Sequence, residues 1–162
     1  MILADARPIS AYIALGANLG DARSTVRQAV QDLGTLPQTR LVQASSLYRT
    51  APIDSSGPDY INAVAEVATT LDPQALLAEL QRLELAAGRE RPYLNAPRTL
   101  DLDILLYDAL TLDSPTLTIP HPRMATRAFV LMPLAEIAPH LLGAGQLEAV
   151  RGQAIERLPA DR

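Results

Sequence analysis

Asp101 and Asp103 are the residues of this chain whose types and spacing most clearly suggest chemistry. They lie in the run Leu100-Asp101-Leu102-Asp103-Ile104-Leu105-Leu106-Tyr107, which begins with the apolar-polar alternation of a β-strand. On a strand the two carboxylates share a face, with their Cβ atoms about 6–7 Å apart. A divalent cation offsets the repulsion between two such charges, and Mg²⁺ is commonly held by one or two carboxylates together with substrate phosphates. The pair predicts a Mg²⁺ site for phosphoryl transfer, although a plain strand with one solvent-exposed face has the same pattern.

The same alternation divides the strand into two faces. The face expected to pack against a core holds Leu100, Leu102, Ile104 and Leu106. The opposite face, expected to carry the site, holds the two aspartates with Leu105 and Tyr107.

Arginines surround this strand in the sequence. Arg89, Arg91 and Arg98 lie within the ten residues 89–98 that come before it, and Arg127 follows it. Singly, each fits a solvent-exposed surface residue, but together they suit a polyphosphate, because guanidinium groups match phosphate oxygens while Mg²⁺ bridges them. His121 stands between two prolines that stiffen its backbone, and it fits either a structural histidine or a hydrogen bond to a nucleotide.

A second alternating run places Tyr60 and Asn62 on one face of a predicted strand. Phe129 is the only phenylalanine of the chain. Core packing explains it, and so does a flat stacking surface shared with Tyr60.

The composition limits the class of protein. The chain has 162 residues, 48% of them hydrophobic, enough for one domain over residues 1–162 with a sizeable core. A net charge of -4 argues against generic binding to nucleic acid or to an anionic membrane, both of which need a basic surface. The chain has no cysteine, and it has no apolar run long enough for a membrane span or a signal peptide. We therefore expect a cytoplasmic monomer whose partners are small molecules.

The order of predicted elements indicates an α+β fold. Apolar or alternating runs predict strands at 11–15, 41–48, 60–68 and 100–107. Helices are predicted from Asp21 to Gly34 and from Asp72 to Gly88, because each has a capping residue, an apolar stripe and a closing glycine. This is the βαββαβ order of a ferredoxin-like sandwich, with an antiparallel sheet, both helices on one face and the other face free for a site. A short helix around residues 127–134 and a weakly patterned C-terminal extension, expected to fray, complete the chain.

Several short motifs resemble those of one enzyme family and follow its order between about Tyr12 and Leu141. They are Ala14–Gly20, Ser46–Pro52, Asp59–Asn62, Gly88–Arg91, Pro97–Leu105 and Pro120–Met124, with Arg127 and Phe129. Any one of them is weak evidence, whereas the ordered set is specific. With these motifs the chain resembles the 6-hydroxymethyl-7,8-dihydropterin pyrophosphokinases of folate biosynthesis.

The resemblance implies an ATP-dependent diphosphokinase that transfers a pyrophosphoryl group from ATP to the pterin hydroxymethyl oxygen and releases AMP. It implies that Asp101 and Asp103 hold two Mg²⁺ ions and, with Arg89 and Arg98, form the catalytic set. The positions that match nucleotide contacts are Gln81, Arg89, Arg91, Arg98, Ile104, Thr118, His121 and Arg127. Those that match the pterin pocket are Thr50, Pro52, Ile53, Tyr60, Asn62 and Phe129, with Asn62 on the pterin amide edge and the two rings on either side of the pterin.

The chain departs from the family in the loop before the aspartate strand. The family usually has Arg-Trp-Gly before its Pro-Arg pair, whereas Leu94-Asn95-Ala96 stand there in this chain. Two other classes of protein fit the aspartate pair alone. One is a ferredoxin-like sensing or subunit-pairing module, and the other is a nuclease, which the acidic balance and the few aromatic residues disfavour.

Overall fold

The computed structural model of the chain describes residues 7–51, 58–88 and 100–159. Within them, the strands of the main sheet are β1 Ile9–Ala17, β2 Thr39–Ala44, β3 Tyr48–Thr50, β4 Tyr60–Thr69, β5 Asp101–Tyr107 and β8 Glu156–Arg157. This antiparallel sheet has the strand order β5-β1-β4-β3-β8, with β2 also paired to β4. A separate pair joins β6 Leu112–Asp113 to β7 Thr118–Ile119, and the helices are α1 Ala22–Leu33, α2 Pro73–Ala87, α3 Ala128–Ile137 and α4 Gln146–Ala149. The predicted βαββαβ order is confirmed, with the strand expected at 41–48 divided into β2 and β3.

Both long helices begin at the aspartates predicted to cap them. The Asp21 carboxylate accepts a 3.2 Å hydrogen bond from the backbone N–H of Ser24, and α1 ends at Gly34. The Asp72 carboxylate accepts a 2.7 Å bond from the backbone N–H of Ala75 at the start of α2. These side chains satisfy N–H groups that have no partner within the helix, so local sequence sets where each helix starts.

α1 and α2 pack on one face of the sheet and form the main core there. The buried helix residues are Val26, Ala29, Val30 and Leu33 in α1 and Leu76, Leu80 and Leu83 in α2. They meet a continuous apolar face of β1, β4 and β5 that includes Ile13, Ala65 and Ile104.

α3 lies against the opposite face of the sheet. Its residues Val130 and Leu134 are buried with Tyr12, Val64 and Leu105 in a second apolar cluster. The expectation that this face would be free was therefore wrong in part, because α3 presents its own apolar side chains to it. The open area is reduced to a cleft beside α3.

A bulge between β1 and β5 changes which face the end of β5 presents. Ile13 pairs with Ile104 but Tyr12 pairs with Leu106, so Leu105 is an extra residue on β5. Leu106 consequently packs against the α3 cluster, whereas Tyr107 packs in the main core and its hydroxyl donates a 2.7 Å bond to the carbonyl of Leu71. The predicted faces of Leu106 and Tyr107 were wrong for this reason; those of the residues before the bulge are confirmed.

The described part of the C-terminal extension is folded onto the domain. β8 pairs with β3, and Val150 and Leu158 are buried. The expected fraying was wrong, because two well-separated apolar anchors and a strand pairing hold a segment that lacks a clear periodic pattern. In the described ranges, none of the helices combines the length and apolar character that crossing a membrane would need.

Candidate active site

A cleft of about 230 Å³ opens on the α3 side of the sheet, where β1, β4 and β5 run side by side. The residues that line it are Ala14, Leu15, Gly16, Thr50, Ala51, Tyr60, Asn62, Asp101, Asp103, Arg127 and Phe129. Seven of the predicted site residues thus share one cavity although four different elements supply them.

The two aspartates stand opposite small residues of β1. Asp101 pairs with Gly16 and Asp103 with Ala14, so neither carboxylate faces a bulky side chain across the strand pair. Asp101 is half-buried and Asp103 is exposed. Both line the cleft, which confirms the predicted shared face.

The two carboxylates suit a magnesium ion whose other ligands are phosphate oxygens or waters. Within residues 7–51, 58–88 and 100–159 there is no group of three or more His, Cys, Asp or Glu side chains that could enclose a metal. Two carboxylates alone match Mg²⁺, which retains waters or takes phosphate oxygens at its other positions.

Asn62 forms the buried floor of the cleft. Its side chain is 5% exposed, and its Nδ2 donates a 2.9 Å hydrogen bond to Oγ1 of Thr50. On its other side, a Cβ atom placed at Gly16 would lie 3.0 Å from Oδ1 of Asn62. The amide is therefore held between β3 and β1, with its nitrogen towards Thr50 and its oxygen towards Gly16.

Phe129 and Arg127 form a wall of the cleft where α3 begins. The guanidinium carbon of Arg127 lies 5.3 Å from the centroid of the Phe129 ring, in the range of a cation–π contact. Phe129 also packs against the α3 cluster. The core-packing explanation is confirmed; the ring also lines the cleft, and its role as a stacking surface stays a prediction.

His121 lies close to this wall. Its backbone N–H donates to the carbonyl of Leu105 at 2.9 Å, and its Nδ1 accepts from the backbone N–H of Arg123 at 3.2 Å. Burial lowers the pKa of His121. The positive charges of Arg127 and Arg123 lower this pKa further, whereas the negative charge of Asp103 raises it. The neutral ring therefore carries its proton on Nε2, which remains available as a donor.

Other predicted site residues lie apart from the cleft or outside the described residues. Gln81 is exposed on α2, Thr118 lies on β7, and Ile104 is 2% exposed with its side chain in the main core. A ligand contact at Ile104 would have to use its backbone. The positions outside the described residues are Pro52, Ile53, Arg89, Arg91 and Arg98.

Two residues were not predicted as site residues. The strand predicted at 11–15 continues to Ala17, so Gly16 is a strand residue that pairs with Asn62 and lines the cleft. Glu136 was not singled out, although it is the only charged residue among Ala128–Ile137 of α3. An isolated charge in an apolar helix was the available signal.

Comparison with known proteins matches this chain to one enzyme family. A family model described as 7,8-dihydro-6-hydroxymethylpterin-pyrophosphokinase (HPPK) matches residues 12–139. A Pseudomonas aeruginosa protein named 2-amino-4-hydroxy-6-hydroxymethyldihydropteridine pyrophosphokinase is 46% identical over 155 residues, covering 91% of this chain and 96% of the relative. A Haemophilus influenzae protein of the same name is 47% identical over 135 residues, covering 83% and 84%.

The fold also matches a solved structure. The crystal structure of Plasmodium falciparum HPPK-DHPS A437G with pteroate superposes with a TM-score of 0.67 at 14% identity, over 92% of this chain and 41% of that one. Such low identity supports the fold alone. The family model and the relatives together show that the chain belongs to the HPPK family.

Proposed function

We infer that the protein is an ATP-dependent pyrophosphokinase, which transfers the pyrophosphoryl group of ATP to 6-hydroxymethyl-7,8-dihydropterin in folate biosynthesis. The products are the pterin diphosphate and AMP. The observation that carries this function is the shared cleft, where the carboxylates of Asp101 and Asp103 meet the pocket around Asn62.

In the reaction, the hydroxymethyl oxygen of the pterin forms a bond to the β-phosphorus of ATP. The bond between that phosphorus and the oxygen bridging to the α-phosphate breaks, AMP departs with the bridging oxygen, and the hydroxyl proton passes to solvent. Such a transfer depends mainly on positioning and on stabilising negative charge, because it needs no covalent intermediate with the protein.

We propose that Asp101 and Asp103 hold two Mg²⁺ ions, which when bound would neutralise charge on the triphosphate. Arg127 adds positive charge at the wall of the same cleft. Arg89, Arg91 and Arg98 are assigned to phosphate contacts, and His121 and Gln81 to the nucleotide, on the family pattern.

We assign the part of the cleft around Asn62 to the pterin. A pterin has one edge of alternating donors and acceptors, and an amide such as that of Asn62 carries both a donor and an acceptor. Tyr60 and Phe129 supply flat rings on the cleft lining, which suit a planar heterocycle. Thr50, with Pro52 and Ile53, completes this pocket in the proposal.

Product analysis tests the function directly. The protein is incubated with MgATP and 6-hydroxymethyl-7,8-dihydropterin, and the nucleotide products are separated by ion-exchange chromatography. We expect AMP in a one-to-one ratio with pterin diphosphate and no ADP. ADP with a pterin monophosphate would indicate a simple kinase, and no pterin-dependent AMP would refute the proposed activity.

A calorimetric titration separates the enzyme from a sensing module. We expect heat from a non-hydrolysable ATP analogue that depends on Mg²⁺, whereas a sensor of another small molecule would give none.

We also propose that residues 1–162 form one domain and act as a cytoplasmic monomer. Light scattering coupled to size-exclusion chromatography would measure the mass, for which one copy predicts 17.4 kDa.

A further inference from the structure

The carboxylate of Glu136 gathers donors from two other parts of the chain. It accepts bonds from the backbone N–H of Ser46 at 3.0 Å to each oxygen, and from the Ser46 hydroxyl at 3.0 Å. The hydroxyl of Tyr48 donates to it at 2.8 Å, and Nη2 of Arg157 donates at 3.2 Å. Nε of Arg157 also donates to Ser46 Oγ at 3.1 Å, which closes the cluster.

These bonds connect α3 with β3, and residues of both elements line the cleft. Glu136 lies on α3, whose first turn carries Phe129. Tyr48 lies on β3, two residues before Thr50, and it pairs across the sheet with Asn62. Because residues two apart on a strand share a face, Tyr48 lies in line with Thr50 and directly beside Asn62.

Apolar burial holds α3 on the sheet without a directional requirement. The α3 cluster that includes Val130 and Leu134 stabilises the contact roughly in proportion to the area buried. The hydrogen bonds of Glu136 depend on distance and angle and so fix one position. Glu136 is 19% exposed, and a carboxylate this buried is costly unless donors surround it.

The protonation state of Tyr48 supports this arrangement. Tyr48 is 3% exposed, and burial raises the pKa of its hydroxyl, with the hydrogen bond to Glu136 and the charge of Glu136 raising it further. The phenol therefore keeps its proton at neutral pH and remains a donor to Glu136.

We propose that Glu136 is a positioning residue for the pterin pocket: by bonding to Tyr48 and Ser46 it sets the separation between Phe129 and Asn62. The inference rests on the proposed function, because it assumes that the pocket takes a pterin. β8 takes part through Arg157, which lies beyond the residues 12–139 matched by the family model.

Two variants test the proposal by comparing pterin and nucleotide affinity. Tyr48→Phe removes one oxygen from the cluster, and Glu136→Gln cannot accept from all its present donors. The dissociation constant of the pterin is measured by titration calorimetry with a non-hydrolysable ATP analogue and Mg²⁺ present. The dissociation constant of the ATP analogue is measured without the pterin. We expect both variants to raise the dissociation constant of the pterin roughly tenfold, while the dissociation constant of the analogue changes less than about twofold.

Tyr107→Phe is the matched control. It also removes a buried hydroxyl hydrogen bond, but from the opposite side of the sheet, where Tyr107 donates to Leu71. We expect it to lower the melting temperature as Tyr48→Phe does and to leave the pterin constant unchanged. If Glu136→Gln does not fold, Tyr48→Phe decides the question, since it keeps the buried ring.

Three results would overturn the proposal. The first is a pterin dissociation constant for Tyr48→Phe within twofold of wild type. The second is an equal weakening of pterin binding and analogue binding in that variant. The third is the same weakening of pterin binding in Tyr107→Phe. If the wild type forms AMP with the pterin but the variants bind it normally, this inference alone fails. If the wild type neither binds nor converts the pterin, the proposed function fails and this inference with it.

Discussion

The side-chain amide of Asn62 donates a 2.9 Å hydrogen bond to the hydroxyl of Thr50, and both residues are buried. An amide can be turned over to exchange its nitrogen and oxygen, and in this structure the Thr50 hydroxyl accepts from the nitrogen. Here the nitrogen is bonded towards β3 and the oxygen lies towards β1. A ligand edge that meets this amide therefore encounters one arrangement of donor and acceptor.

Thr50→Val should weaken pterin binding more than nucleotide binding. It keeps the shape of the side chain but leaves a buried N–H group unpaired, which costs about 1–3 kcal/mol and allows the amide to turn. We expect a pterin dissociation constant roughly tenfold higher by calorimetry. Thr50→Ser retains the hydroxyl and should bind like wild type; equal losses in the two variants would show that the methyl group, not the hydrogen bond, is important.

Gly16→Ala should act on the same amide from the other side. An added Cβ would lie 3.0 Å from Oδ1 of Asn62, so one of the two must move, at a cost of about 1–3 kcal/mol. We expect a lower melting temperature and weaker pterin binding. Gly152→Ala is the control, because a Cβ there meets no atom within 4 Å. Normal pterin binding by Gly16→Ala would mean that Asn62 adapts freely.

Asp101→Asn and Asp103→Asn should each lower Mg²⁺-dependent AMP formation by at least about a hundredfold, because each removes a charge that the metal requires. Removal of Mg²⁺ with EDTA should have the same effect on the wild type. Asp113→Asn should retain full activity, because Asp113 is an exposed residue of β6 that does not line the cleft. Near-normal turnover in either cleft variant would refute the metal assignment.

Tyr48 should make the protein lose stability in alkali. The pKa of Tyr48 is raised above its ordinary 10.0 by burial and by Glu136, with Arg157 opposing, so the native state retains a proton that the unfolded chain loses. The contribution is fully present below pH 10 and declines as the pH rises towards the native pKa, by about 1.4 kcal/mol per pH unit.

Urea unfolding at several pH values above 10 measures this decline. Stability should fall more steeply in wild type than in Tyr48→Phe. The pKa values of Tyr12 and Tyr107 are also raised by burial, but both residues are present in the two proteins and cancel in the comparison. Identical slopes would show that Tyr48 does not retain its proton.

Local sequence determined much of this protein. Asp21 and Asp72 cap helices because an aspartate can satisfy the N–H groups of the turn that follows it. Asp101 and Asp103 share a face, as do Tyr60 and Asn62, because side chains alternate along a strand that no bulge interrupts. The family resemblance suggested which residues belong to one site, and seven of them line one cleft.

Only the tertiary structure decided how the walls of the cleft meet. The bulge at Leu105 arises from pairing with β1, so the faces of Leu106 and Tyr107 could not follow from alternation within β5. Tyr48 and Glu136 are 88 positions apart, and Ser46 and Arg157 are 111 apart. Contacts over such separations depend on where whole elements pack, and no local periodicity encodes that.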